Sequence, residues 1–397
     1  MSSLIEPQSS SSEDTTPALE EAQLSHANTR LGEPDVPVVD LELLAQGDLK
    51  QCEALARGLS DLGMIHIKNH GLDFEALDTF YRAFDQFCQR PTEMKQTLSR
   101  SDLWFQRGWT PPDTERAVIS GGQPDFKECY FAAPEEIDPQ LNAEYPQIFA
   151  HNIWPEHAEP AFKTSYLNIG RTLHSVGLVL LRGVSRAFDL PLDIFTNYVE
   201  GGAHVTRALR YLPLKESQLN TGIRWGEEHT DFNLLTLLPG GRSYYLDGTK
   251  YRPKGISGLY LRARADDRHP EGRRVRGSAP PGCIIAQVGQ QLEILTGGKL
   301  LATPHEILPP NEANVHRFSM AHFIHAHPYQ TLTPLPSFQN AESTQSYSPP
   351  VLAGTYSLKT LVDIGLAPPS SLDKLGYRHY RRLDEQREAE RHQLERS

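Results

Sequence analysis

The chain has 397 residues, 38% of them hydrophobic, with four cysteines and a formal net charge of −11. That supply of apolar residues is enough for a real core, and the acidic balance opposes nonspecific attraction to nucleic acid or anionic lipid, so small molecules are the expected partners. Cys52, Cys88, Cys129 and Cys283 are scattered without Cys-x-x-Cys spacing, which points away from a zinc ribbon or a disulfide framework. The longest apolar run, around Val176 to Leu181, is far shorter than the ~20 residues of a membrane span, and no basic-then-apolar signal pattern opens the chain. A cytoplasmic protein without a membrane segment is expected.

In chain order, residues 1–35 are rich in serine and acids and poor in large apolar side chains, a composition expected to form a disordered tail. "VPVVDLELL" predicts a short strand. Leu49, Cys52, Leu55, Leu59 and Leu62 then recur at helical spacing, and in "GMIHIKNHG" Ile65 and Ile67 alternate with polar neighbours, predicting a helix and a second strand that ends in a turn. Phe162, Leu167, Ile169, Leu173, Val176, Leu180, Val184 and Phe188 predict one long helix as the spine of a region spanning 36–200. From 201 to 335 the pattern changes to short β-type runs separated by glycine and proline: His204 to Leu212, "LLTLL", "GLYLRA", "CIIAQV" and "RFSMAHFI". Many short strands at this spacing suggest a sandwich or barrel. Residues 336–397 read as an extension that ends in a charged, solvated helix, with Asp384/Arg387 and Arg391/Glu395 at helical spacing.

Chemistry is concentrated in "RWGEEHTDFNLLTLLPGG". With 16 histidines and 50 acidic residues among 397, a His-x-Asp/Glu triplet arises about twice by chance, and the chain has three: His157, His229 and His269 lead them. His157 and His269 lie in polar, proline-bearing segments, whereas His229 enters a strand pattern, where it and Asp231 would face one side. His305 is the candidate third ligand. Two histidines and one carboxylate leave metal positions open, a geometry that favours non-heme Fe(II). Twelve residues after His305 come Arg317 and Ser319, again on one strand face, where a guanidinium fork and a hydroxyl would anchor a carboxylate. A competing zinc site at His322, His325 and His327 in "AHFIHAHP" has no accompanying carboxylate and splits across two strand faces.

The order His229-x-Asp231, His305, Arg317-x-Ser319 resembles the Fe(II)- and 2-oxoglutarate-dependent dioxygenases of the isopenicillin N synthase-like family. "LSDLGMIHIKNHGL" and "GGQPDFKECYF" are similar to that family's N-terminal region, and the likeness spans roughly 36–335. "HVTRALRYLP", "SGLYLR" and "LTGGKLLATPHEI" look closest to the bacterial ethylene-forming enzyme group. The resemblance implies an α+β fold with a mainly β core, a double-stranded β-helix (jelly-roll) flanked by helices. It implies Fe(II), with 2-oxoglutarate and O2 as cosubstrates and ascorbate as a stimulant, and oxidation of a small organic substrate with release of succinate and CO2. It assigns Arg317, Ser319 and Tyr211 to the cosubstrate and Arg207 and Phe232 to the substrate pocket. Two other readings share some of these features: an oxidase of the isopenicillin N synthase type that works without 2-oxoglutarate, and a jelly-roll binding protein without turnover. Glu227 and Glu228 stand where the family usually has small residues, and Leu361 to Asp363 where the ethylene-forming group has a basic one. Changed charge at both places is expected to change the substrate, so that ethylene is not a main product.

Overall fold

The computed structural model describes residues 36–115, 126–155, 160–253, 255–265, 270 and 272–372. The expected tail and the expected terminal charged helix lie outside these residues, as do His157 and His269. The strands, in chain order, are β1 Val38–Asp40, β2 Met64–Lys68, β3 Gly108–Thr110, β4 Lys127–Ala132, β5 Val205–Tyr211, β6 Gly226–His229, β7 Leu235–Leu238, β8 Arg242–Tyr245, β9 Gly258–Ala263, β10 Arg273–Arg276, β11 Ile284–Val288, β12 His305–Leu308, β13 Val315–Ile324, β14 Thr331–Leu332 and β15 Val351–Leu352. Two sheets face each other. The major one runs β1-β2-β11-β7-β13-β5-β4-β3, with β8 also beside β13, and the minor one runs β10-β9-β12-β6. This is the expected jelly-roll, and strands from the 36–200 region extend its major sheet at both ends.

Local rules place these elements. Asp40 ends β1 and caps the helix Leu41–Ala45, so "LELL" is helical although it follows directly on a strand. Asp48 caps the helix Leu49–Asp61, which buries Cys52, Leu55 and Leu59, whereas Leu49 at its first position is solvent-exposed. β2 departs from the alternating pattern: Met64, Ile65, His66 and Ile67 are all buried. It lies between β1 and β11, with Ile65 and Ile67 in one apolar cluster and Met64 in another, so both of its faces are covered.

The spine helix, Pro160–Ala187, has 28 residues and packs against the major sheet. Gly177 lets it approach: a Cβ there would lie 2.2 Å from Ile324 Cδ1 on β13. Between this helix, the helix Phe74–Cys88 and the sheet lies an aromatic core in which Phe80, Phe84, Phe87, Tyr130, Phe162 and Tyr166 meet edge-on, tilted or stacked. No described helix is long and apolar enough to cross a membrane.

Candidate functional site

His229, Asp231 and His305 meet at one end of the barrel. Their ligand atoms all lie within 4.8 Å of one another, and this is the sole group of its kind among the described residues. The pairing of β6 with β12 sets His229 opposite His305, with ring centroids 4.5 Å apart. Asp231 Oδ1 is 3.6 Å from His229 Nε2 and 3.9 Å from His305 Nε2. The expectation that His229 and Asp231 share one strand is corrected, because β6 ends at His229 and Asp231 sits in the link to β7. The apolar run after it belongs to the other sheet.

Hydrogen bonds prepare each group for a cation. His229 Nδ1 donates to the Glu227 carbonyl at 2.7 Å and His305 Nδ1 to the Thr303 carbonyl at 3.2 Å, which leaves both Nε2 lone pairs directed at Asp231. Thr236 donates to Asp231 Oδ2 at 2.6 Å and itself accepts from Asn233. Burial by itself would raise the Asp231 carboxyl, but His305, His229 and the Thr236 hydroxyl hold it below its ordinary value. Burial, with His229 beside it, pushes His305 down to about 4 against the pull of Asp231. An ionised carboxylate and two neutral imidazoles are the protonation states that a divalent metal requires.

From this cluster a cavity of about 610 Å³ runs along the barrel between the sheets. Alternate residues of β13 from Arg317 onward line it: Arg317, Ser319, Ala321 and Phe323. Arg317 lies opposite Tyr211 in the β13–β5 register, its guanidinium 5.3 Å from the Tyr211 ring centroid, and Tyr211 in turn stacks on Trp225. Gly241 makes room for it, since a Cβ there would come within 2.6 Å of Arg317 Cζ. Arg317 Nη1 is buried and has no hydrogen-bond partner. The residues therefore fit a metal bound at one end of the cavity and a carboxylate held at Arg317.

Arg207 also lines the cavity, where it forms an ion pair with Glu115, donates to Cys129 Sγ and lies over the Phe131 ring. Glu115 binds Lys127 as well, at 3.1 Å. Burial would raise the Glu115 carboxyl, but Arg207 and Lys127 hold it at about 2. Phe232 is not among the cavity's lining residues. It packs with the cluster of Trp104, Leu358 and Leu361 and against the His325 ring, so the structure sets it in a core rather than in the pocket. Glu227 and Glu228 are likewise absent from the lining: Glu227 lies near Arg224, and Glu228 pairs with Arg262. Leu361 is buried in its cluster and Asp363 pairs with Lys359, so neither expected change of charge reaches the cavity. The histidines of "AHFIHAHP" diverge: His322 bonds His174 and Thr206, His325 lies against Phe232, and His327 Nδ1 accepts from the Tyr329 amide. They form no metal cluster among the described residues. Glu115 and Thr236 escaped the sequence reading, because the arginine that Glu115 meets is distant in the chain and the Thr236 bond reaches back into a link without periodicity.

Two family models match the chain: the N-terminal model of non-haem dioxygenases in morphine synthesis over residues 36–157, and the 2OG-Fe(II) oxygenase superfamily model over 202–326. The chain belongs to the 2OG-Fe(II) oxygenase superfamily. Relatives of this superfamily include kihadalactone A synthase of Citrus sinensis, 26% identical over 82% of this chain and 92% of its own, and a 2-oxoglutarate-dependent dioxygenase, imqE, of Aspergillus flavus, 25% identical over 79% and 90%. In fold the chain resembles a 2OG-Fe(II) oxygenase family protein of Caulobacter crescentus, with a TM-score of 0.68 and 24% identity over 84% of this chain and all of the other. It also resembles the dioxygenase for auxin oxidation of rice, with a TM-score of 0.59 and 19% identity over 86% of this chain and 99% of the rice protein. As a 2OG-Fe(II) oxygenase the protein is an enzyme that uses Fe(II) and 2-oxoglutarate to oxidise a small molecule. Among the readings of the sequence, these likenesses favour this one over an oxidase without 2-oxoglutarate and over a binding protein without turnover.

Proposed function

We propose that His229, Asp231 and His305 bind the Fe(II), that Arg317, helped by Ser319 and Tyr211, receives the distal carboxylate of 2-oxoglutarate, and that Arg207 borders the substrate. The observation that carries this reading is Arg317 Nη1, buried beside the cavity without a hydrogen-bond partner. A buried cationic donor left unsatisfied is costly, and a dicarboxylate reaching from it toward the metal would satisfy it with a charge-assisted, two-pronged bond. The bound iron and cosubstrate supply the oxidising chemistry, with succinate and CO2 as coproducts. The chain's own residues bind, orient and shield. Hydroxylation of a small organic molecule is the outcome we infer, with the cytoplasm as its setting.

Screening small molecules for stimulated succinate release, with Fe(II) and ascorbate present, tests the activity. Undiminished turnover in His305→Ala would remove that residue from the metal site. In Arg317→Lys the charge stays and the fork is lost, so the 2-oxoglutarate KM should rise more than kcat falls.

The likeness to the ethylene-forming group rests on three segments, and we infer that ethylene is not a main product here. The support is Arg207, which lines the cavity already tied to Glu115 and Cys129. Gas chromatography over enzyme, Fe(II), 2-oxoglutarate and arginine decides it. Ethylene in amounts comparable to succinate would overturn the inference.

A further inference from the structure

The cavity does not stop at Arg317. Beyond it, at the end of the barrel away from the metal cluster, the lining continues through Lys250, Arg252, Arg276 and Ser278 to Gly282 and Cys283. Topology places these residues together. β12 leaves the metal end at His305 and β13 returns from the opposite end at Val315. Val315 pairs with Tyr245, just before the turn that carries Lys250 and Arg252. Leu308 pairs with Gly258, and Gly277 bonds the Leu259 carbonyl next to Arg276. The alternate residues Arg317 to Phe323 line the wall between this basic group and the metal end, so the basic group stands at the other end of the barrel.

That mouth is positive in a chain of net charge −11. Lys250, Arg252 and Arg276 are exposed, and none of them has an acidic partner among the described residues. Arg242, further in, is paired with Asp78. Among the described residues, the only carboxylate lining the cavity is Asp231, at the far end. A narrow passage with cations at its entrance and low-dielectric walls focuses field lines and raises the local concentration of anions.

We propose that this mouth is the entry and exit route for the dicarboxylates of the reaction, 2-oxoglutarate inward and succinate outward, separate from the metal-end opening used by the primary substrate. The route ends at Arg317, whose Nη1 is buried and has no hydrogen-bond partner. A dicarboxylate then reaches its seat without passing the primary substrate. The inference rests on the cosubstrate seat proposed above.

Trp225 lines the cavity beside Tyr211 and gives a fluorescence signal for binding. Stopped-flow mixing of 2-oxoglutarate with the anaerobic Fe(II)-loaded enzyme would be compared between the wild type and Lys250→Glu/Arg252→Glu/Arg276→Glu. The control carries the same charge change at exposed sites away from the cavity, Lys50→Glu/Arg57→Glu/Lys299→Glu. The expected result is an association rate at least tenfold slower in the mouth variant at low salt, a difference that shrinks in high salt, and little change in the control. Equal rates in wild type and mouth variant, or the same slowing in the control, would overturn the route. Absence of 2-oxoglutarate binding to the wild type would instead remove the cosubstrate seat itself.

Discussion

Each candidate metal ligand makes a hydrogen bond to its own neighbourhood: His229 to the Glu227 carbonyl, His305 to the Thr303 carbonyl and Asp231 to the Thr236 hydroxyl. Asp231 is held by Thr236, and Thr236 by Asn233. Thr236→Val keeps the shape and removes the hydroxyl, so metal affinity should fall by about 10–100-fold while the fold survives. Titration of the apoprotein with Mn(II), followed by EPR, measures this, and Thr236→Ser should restore most of the loss. Undiminished affinity in the valine variant would show that Asp231 needs no such support. Gly241 performs a different service, leaving space for the Arg317 guanidinium. Gly241→Ala should displace that guanidinium and weaken 2-oxoglutarate binding at least tenfold, with metal affinity unchanged, as isothermal titration in the presence of Mn(II) would report. Loss of both affinities together would mean that the glycine serves the barrel and not the cosubstrate.

At the scale of elements, the sequence was most legible where one period ran long. The spine helix announced itself by Phe162, Ile169, Leu173, Val176, Leu180 and Val184, all buried. Tyr166, equally buried and bonded through its hydroxyl to the carbonyls of Tyr130 and Thr206, was missed because a tyrosine carries both an apolar body and a polar tip. His229-x-Asp231, His305 and Arg317-x-Ser319 were readable because the residue types are specific to their chemistry, yet the strand expected to hold the first pair stops one ligand early. Glu115 was not readable at all, being 92 positions from Arg207 and in a loop. Close approach of helix and sheet leaves a test of its own. In Gly177→Val the new side chain would meet Ile324 and Leu237, overpacking the interface by about 1–3 kcal/mol. A lowered melting temperature is expected, partly recovered by adding Ile324→Ala. No change in either would show that the helix can shift outward at little cost.

Across the whole molecule, four buried histidines join the spine helix to the sheet and to the neighbourhood of the metal cluster. His174 Nδ1 lies 3.2 Å from His322 Nε2, His322 Nδ1 meets the Thr206 hydroxyl, and His204 accepts from the His325 amide. Burial lowers all four below their ordinary value, with His325 pushed down to about 4. Glu135 near His174 and Asp231 near His325 oppose the shift without reversing it. The sign follows from which state binds protons. Above the unfolded value near 6.5 neither state is charged, so these groups impose no penalty; as the pH falls below it the unfolded chain takes up protons that the folded one refuses. Stability should therefore decline from about pH 6.5 toward pH 4, each such histidine costing about 1.4 kcal/mol per pH unit once the unfolded form is fully protonated. Urea unfolding of the chelator-treated apoprotein between pH 7.5 and 5 measures the slope. In His174→Phe/His322→Leu two of the four groups are gone, so the variant's stability should fall less steeply with acid, whatever its absolute value at neutral pH. Parallel slopes in wild type and variant would mean that this buried pair is not what makes the fold sensitive to acid.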